Sequence, residues 1–155
     1  YQHENLLTGE KKSYTIINKT YLNQPITSWI QYEPARDVES DPVKIRTVYR
    51  RKNLLLINNE LFELNKPGFC KDGEDVNGKF RTCLREVVPA LPLSTSLTLD
   101  SVYVFERAWY QPERVDSTTL VIYISAARNL LVKKEITGPQ GKVSWKEELI
   151  QIREK

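Results

Sequence analysis

Apolar and polar residues alternate over many short stretches of the chain, and such alternation is typical of strands that bury one face. In residues 43–50 the apolar and β-branched side chains share one face, whereas the other face carries mostly basic side chains. Alternation, or enrichment in β-forming residues, predicts further strands at 13–20, 26–33, 54–57, 61–64, 79–87, 97–110 and 130–136. The chain is therefore expected to be rich in strands.

Residues 119–126 differ from these stretches because they are apolar on both faces. A strand with this pattern is buried on both sides, which predicts a central position in the fold. Pro89 and Pro92 predict a rigid, extended connection after the strand at 79–87. Asp100 and Ser101 predict a bulge or bend within the long strand that follows.

Many short strands with turn residues between them, and no long helical pattern, predict an all-β fold. A length of 155 residues suits one domain. We therefore expect a single β-domain over 1–155, either an immunoglobulin-like β-sandwich or a small β-barrel, with a flexible leader at 1–12. A capping-box sequence from Ser144 to Glu147 predicts a short C-terminal helix within 142–155; the alternative is a strand that pairs back on 130–136.

Cys70 and Cys83 flank a polar segment whose turn-forming residues lie at 75–78. We expect a hairpin closed by a disulfide. A two-residue turn keeps both cysteines on one side of the sheet, whereas a three-residue loop with Gly78 in a bulge places them on opposite sides. A disulfide predicts a compartment outside the reducing cytosol, and two free buried cysteines are the alternative.

The composition is that of an ordinary globular protein, with 40% hydrophobic and 28% charged residues. The net charge of +3 and the isoelectric point near 8.8 are only mildly basic, short of a dedicated nucleic-acid binder. No apolar run approaches the ~20 residues that cross a bilayer. The chain begins at Tyr1 and contains no methionine, which predicts removal of an export signal or membrane anchor, with a trimmed fragment as the alternative.

Histidine-dependent catalysis is not expected, because the only histidine is His3, close to the start of the chain. Two cysteines and one histidine near the chain start are also too few for a closed zinc site. The acidic cluster at 72–77 lacks the carboxylates that an EF-hand requires, since Gly73 and Leu84 occupy those positions. The sequence predicts no catalytic residue, no metal and no cofactor, although carboxylate pairs that meet only in the fold stay open.

Two predicted strands carry basic residues that would form one stripe if the strands were neighbours. This stripe consists of Lys44, Arg46, Arg50, Arg51, Lys52, Lys79, Arg81 and Arg85. It would face an acidic protein, a nucleic-acid backbone or anionic lipid, and the alternative is a charged face that prevents edge-to-edge association. Trp109 and Tyr110 are candidate recognition residues beside it, with core packing as the alternative.

Three segments resemble periplasmic pilus chaperones. Residues 18–30, NKTYLNQPITSWI, are similar to the family's "N…P…SWI" stretch; residues 61–64, LFEL, are similar to its "LFRL" segment; and 88–99 resemble the proline-then-serine stretch that follows. The resemblance implies an immunoglobulin-like fold and completion of a pilin by strand donation. It covers less than half of the chain, and no counterpart of the family's subunit-anchoring arginine and lysine is evident.

These observations predict a non-enzymatic β-domain of the bacterial periplasm or extracellular space, either secreted or anchored through a removed N-terminal segment. It is expected to bind another protein of the cell envelope or the host through a strand edge or the basic and aromatic surface. Nucleic acid is not the expected partner. The alternatives are a pilus-chaperone-like assembly factor, a small-ligand-binding β-barrel and a barrel that binds single-stranded nucleic acid.

Overall fold

The computed structural model of the chain describes residues 2–9, 11–13, 17–23, 26–33, 43–57, 60–93, 97–110, 118–138, 141–149 and 152. Within these ranges the chain forms strands and turns and no helix, which confirms the all-β class. The described part of the chain therefore also holds no helix with the length and hydrophobicity that a membrane crossing requires.

The strands are β1 (Gln2–Asn5), β2 (Lys11–Ser13), β3 (Ile17–Asn23), β4 (Ile26–Glu33), β5 (Val43–Arg51), β6 (Leu54–Ile57), β7 (Glu60–Glu63), β8 (Cys70–Asp75), β9 (Gly78–Pro92), β10 (Thr98–Trp109), β11 (Thr119–Ser125), β12 (Leu130–Thr137) and β13 (Val143–Glu148). They divide into two compact units: Tyr1–Ser13 with Asn65–Lys155, and Tyr14–Leu64. Each unit contains one antiparallel sheet, as expected for a β-sandwich or a small β-barrel. The single-domain organisation stays a prediction.

The first unit is an eight-stranded sheet in the order β2-β1-β13-β12-β11-β10-β9-β8. Its core lies along β10, β11 and β12. Val121, Ile122, Ile124 and Ser125 are buried in β11, so both faces of this strand are covered, as its apolar pattern predicts. Among the described strands, β11 pairs with β10 on one side and with β12 on the other.

The second unit is a five-stranded sheet in the order β3-β4-β5-β6-β7. The strands predicted at 54–57 and 61–64 are present as β6 and β7, which pair as a hairpin with Leu55 opposite Phe62. These two residues are buried together with Ile57 and Leu64. The strands predicted at 26–33 and 43–50 are present as β4 and β5.

The prediction of a connection at Pro89 and Pro92 is wrong, because β9 continues to Pro92. This is compatible with proline because β8 pairs only with Gly78 to Cys83, so β9 has a described neighbour on one side alone around Pro89. Ser101 has a left-handed φ of 52° within β10, which confirms the bend expected there. The register also shifts between Val104 and Phe105.

Both chain ends differ from the prediction. The segment expected to be a C-terminal helix forms β13 from Val143 to Glu148, and it pairs with β12, as the alternative required. The side chains from Val143 to Glu147 are half-buried and Glu148 is buried in the sheet, so tertiary pairing overrides the helical spacing. Residues expected in a flexible leader form β1 and part of β2, and β1 pairs with β13. The side chain of His3 lies outside the described set.

Candidate functional site: the disulfide-linked hairpin at the sheet edge

The disulfide between Cys70 and Cys83 links the last strand of the first sheet, β8, to its neighbour β9. The two cysteines lie directly opposite each other, with their Cα atoms 4.0 Å apart. Facing cysteines at such a short separation occupy a non-hydrogen-bonded position of an antiparallel pair. The disulfide fits a protein that folds outside a reducing compartment.

The hairpin turn explains why the cysteines meet. Asp75 pairs with Gly78, so the turn contains only Val76 and Asn77, and the two strands stay in the register that puts both sulfurs on one side. The Asn77 backbone N–H donates to Asp75 Oδ1 over 2.7 Å, and Gly78 has a φ of 114°. The two-residue alternative predicted from the sequence is therefore confirmed, and the three-residue loop is not formed.

Two backbone hydrogen bonds determine which way the groups of β8 point. The Leu84 N–H donates to the Phe69 carbonyl, and the Tyr110 N–H donates to the Lys79 carbonyl, each over 2.8 Å. The backbone N–H and C=O groups of even-numbered residues of β9 up to Leu84 thus point towards β8, and those of odd-numbered residues point towards β10. Because hydrogen-bonded and non-hydrogen-bonded pairs alternate, the backbone groups of Cys70, Asp72 and Glu74 point away from β9.

This outer edge of β8 has no pairing strand among the described residues, since β8 ends the strand order of its sheet. The side chains of Lys71, Asp72 and Glu74 are exposed. An open edge presents backbone donors and acceptors in the spacing that another strand requires. Among the described residues, the hairpin therefore combines an unpaired strand edge with a disulfide that fixes β8 to β9.

One face of the hairpin, here called the Asp72 face, carries Cys70, Asp72, Glu74, Arg81 and Arg85. Arg81 binds Asp72 through two hydrogen bonds of 2.8 and 3.1 Å. The guanidinium lowers the pKa of Asp72, and the carboxylate raises the pKa of Arg81. Arg85 forms an ion pair with Glu106 at 3.3 Å. The charges of Arg81 and Arg85 are thus paired with carboxylates.

The opposite side, here called the Phe80 face, carries Gly73, Asp75, Phe80, Arg107 and Trp109. The Arg107 guanidinium stacks on the Phe80 ring at 4.0 Å, and Phe80 contacts Trp109 edge-on with centroids 6.3 Å apart. The Trp109 indole N–H donates to the Asp75 carboxylate at 3.1 Å. Arg107 is 6% exposed, and burial lowers its pKa to about 10. The face is therefore a packed aromatic and cationic layer.

The predicted basic stripe is not formed by neighbouring strands. Lys44, Arg46, Arg50 and Arg51 lie on β5 of the second unit, whereas Lys79, Arg81 and Arg85 lie on β9 of the first. The side chains of Lys44 and Arg46 are outside the described set. The expectation of one stripe depended on adjacent strands, and the described strands do not meet this condition because β5 pairs with β4 and β6. A role of these basic residues in binding stays a prediction.

Trp109 and Tyr110 do not form one patch. Trp109 lies on the Phe80 face, and Tyr110 is exposed near Arg81, whose guanidinium carbon is 5.8 Å from the ring centroid. Successive residues of a strand point to opposite faces, which is the reason for the separation. The recognition role of both residues stays a prediction.

Sequence reasoning missed Gly73, Phe80 and Arg107 as parts of the site. Arg107 follows Phe105 at the alternating spacing of inward positions in β10, but arginine is rarely buried, so its residue type gives no signal. Its Nε donates to Thr82 Oγ1 over 3.0 Å, and this bond and the Phe80 stacking offset part of the cost of burying the cation. Only the cross-strand register reveals these contacts.

Two further polar clusters lie on the first sheet. Glu4 accepts hydrogen bonds from Lys11 and Lys146, each at 3.1 Å, which lowers the pKa of Glu4. Tyr123 donates to Glu135 over 3.0 Å, and burial, followed by the charge of Glu135, raises the pKa of the phenol. Among the described residues, no group of three or more His, Cys, Asp or Glu side chains has an arrangement that could hold a metal ion.

Comparison with known proteins adds no relative: no protein family, no curated protein and no solved structure matches this chain. The resemblance to pilus chaperones stays a prediction.

Proposed function

We propose that this protein is a non-enzymatic component of the bacterial periplasm or extracellular space, and that it binds another protein by accepting a strand at the edge of β8. The observation that carries the proposal is the combination of an outer edge that no described strand pairs with and the disulfide that fixes β8 to β9. Proteins of the cell envelope or of the host are the expected partners.

Strand addition uses backbone hydrogen bonds for affinity and side-chain contacts for specificity. The outward groups of Cys70, Asp72 and Glu74 offer three N–H donors and three carbonyl acceptors at the strand edge. Fixing the receiving strand before binding reduces the ordering cost of association. The disulfide supports this role because it restrains β8, which has one neighbour among the described strands.

The compartment is tested by alkylation. Protein isolated from its native source is unfolded without reductant, treated with a thiol reagent and weighed by intact mass spectrometry. We expect Cys70 and Cys83 to remain unmodified, and to react only after reduction. Alkylation of both cysteines without prior reduction would contradict the proposed periplasmic or extracellular location.

The binding mode is tested with a proline at the outer edge. Glu74→Pro removes an outward N–H but no bond to β9, since Glu74 occupies a non-hydrogen-bonded position opposite Lys79. Glu74→Ala is the matched control, because it removes the same carboxylate and keeps the N–H. A photoreactive residue at the fully exposed Val76 reports partner contact in the native host.

We expect the same crosslinked partner in the unsubstituted protein and in Glu74→Ala, and its loss in Glu74→Pro. Circular dichroism and the thermal midpoint verify that both variants are folded. A crosslink that persists in a folded Glu74→Pro protein contradicts strand addition at β8.

A further inference from the structure

We infer that the strand accepted by β8 alternates basic and apolar side chains, with the basic ones on the Asp72 face and an apolar one opposite Gly73. This inference rests on the proposed function and specifies the chemistry of the partner. It follows from what each face of the hairpin presents beside the open edge.

An added strand would place its side chains beside those of β8, because facing residues of adjacent strands point to the same side of the sheet. On the Asp72 face its neighbours are Asp72 and Glu74. On the Phe80 face its neighbours are Lys71, Gly73 and Asp75. The two faces therefore select side chains of different character at alternate positions.

The Asp72 face is acidic along its outermost row. Asp72 and Glu74 stand on β8, whereas their basic neighbours Arg81 and Lys79 stand one strand further from the edge. The Asp72 side chain is 63% exposed even while it binds Arg81. Because Arg81 lowers the pKa of Asp72, this carboxylate is charged at neutral pH. Opposite charges at facing positions favour lysine or arginine in the added strand.

The Phe80 face offers an apolar contact close to the edge. Gly73 has no side chain, and a Cβ built there would lie 2.5 Å from Phe80 Cζ, so the ring covers the Gly73 backbone. The ring is held from behind by Arg107 at 4.0 Å and by Trp109. An apolar residue opposite Gly73 would therefore pack against an aromatic edge that is already positioned.

The Asp75 side chain leaves free the position at which an apolar residue of the added strand would pack against Phe80. Its carboxylate accepts hydrogen bonds from the Trp109 indole and the Asn77 backbone N–H, which hold it at the hairpin turn. The apolar position is thus bounded by Asp75 at one end of β8 and by the exposed Lys71 towards the other.

The experiment uses the oxidised protein and two synthetic peptides with blocked ends, one alternating lysine with valine and the other alternating glutamate with valine. Binding is followed by isotope-edited NMR, with attention to the amide signals of Cys70, Asp72 and Glu74. We expect the lysine peptide to bind about tenfold more tightly, because the two charge pairs with Asp72 and Glu74 are attractive for lysine and repulsive for glutamate. Amide exchange at Asp72 and Glu74 should slow on binding.

Variants identify the source of the preference. The double variant Asp72→Asn with Glu74→Gln should reduce the preference for lysine to about twofold or less while the edge still binds, since neutral side chains lose the charge pairs. Glu106→Gln is the matched control, because this carboxylate lies on the same face but on β10, away from the edge. Phe80→Leu should weaken both peptides equally, and Glu74→Pro should abolish both interactions.

Equal affinity for the two peptides, no binding of either, or signal changes located elsewhere would overturn the inference. The proposed function is contradicted by a different result, namely crosslinks in the native host that persist in the folded Glu74→Pro protein. If those crosslinks require the open edge but the peptides show no charge preference, the proposed function stands and the partner chemistry is wrong.

Discussion

Gly73 lies directly opposite Phe80 in the β8–β9 hairpin, and the Phe80 ring occupies the space that any Gly73 side chain would need. A Cβ at Gly73 would lie 2.5 Å from Phe80 Cζ and 2.7 Å from Phe80 Cε2. The glycine lets the Phe80 ring lie across the edge strand. The Arg107 guanidinium stacks on this ring. A single small residue thus couples the strand edge to the buried layer behind it.

Gly73→Ala is expected to destabilise the protein by about 1–3 kcal/mol, because the added methyl group forces the Phe80 ring out of its position. In the background of Phe80→Ala the same substitution should cost much less, since the obstructing ring is gone. Chemical denaturation of the four proteins of this double-mutant cycle measures the coupling, expected at about 1 kcal/mol or more. Additive effects would show that the ring does not determine the cost.

The disulfide is expected to contribute roughly 3 kcal/mol to the free energy of unfolding, since it restricts the unfolded chain over a short loop. Denaturation with and without reductant measures this contribution. The double variant Cys70→Ala with Cys83→Ala should match the reduced protein and show no response to reductant. A reductant effect that persists in the double variant would trace the loss of stability to another cause.

Arg107→Ala is expected to lower the free energy of unfolding by about 2 kcal/mol, because it removes the stacking on Phe80 and the hydrogen bond to Thr82. Arg107→Lys should recover little of this loss, since an ammonium cannot stack as a plane and donate from Nε in the same geometry. Thermal and chemical denaturation provide the comparison. Full stability of the lysine variant would indicate that charge alone matters at this position.

The Asp72 carboxyl is expected to titrate below the ordinary aspartate value of about 3.9, because Arg81 hydrogen-bonds its charged form. The unfolded state then binds the proton more readily than the folded state. The stabilising contribution is present above the unfolded pKa and is lost as the pH falls through the folded pKa. It is small because both side chains are exposed to solvent.

Carboxyl-detected NMR titration measures the pKa of Asp72 directly. Arg81→Gln should return the pKa of Asp72 towards the ordinary range, whereas Arg85→Gln should leave it unchanged, because Arg85 binds Glu106 instead. A similar response to both substitutions would mean that the net charge of the face, and not the paired guanidinium, sets the pKa.

Local sequence patterns identified most strands of the fold. Alternation located β5 and the first part of β9, and an apolar stretch without alternation located β11, because burial on one or both faces of a strand determines the order of apolar and polar residues. The hairpin turn and the disulfide were also predictable, since turn chemistry fixes the register between Cys70 and Cys83. Predictions failed where a segment satisfied two patterns, as at β13.

The candidate site was less predictable because its contacts lie between strands. The basic residues of β5 and β9 looked like one stripe in the sequence, yet the strands belong to different sheets. Trp109 and Tyr110 are adjacent in the chain but lie on opposite sides of it. Gly73 and Phe80 gave no signal by residue type alone.

The sequence by itself determined the all-β class, most strand positions and the disulfide-linked hairpin, because these depend on short-range periodicity and turn geometry. Only the tertiary structure decided that β8 lies at a sheet edge, that Arg107 is buried against Phe80, and that Asp72 and Arg85 have separate charge partners. These features depend on strand order and register, which arise from contacts between residues far apart in the chain and leave no periodic pattern in it.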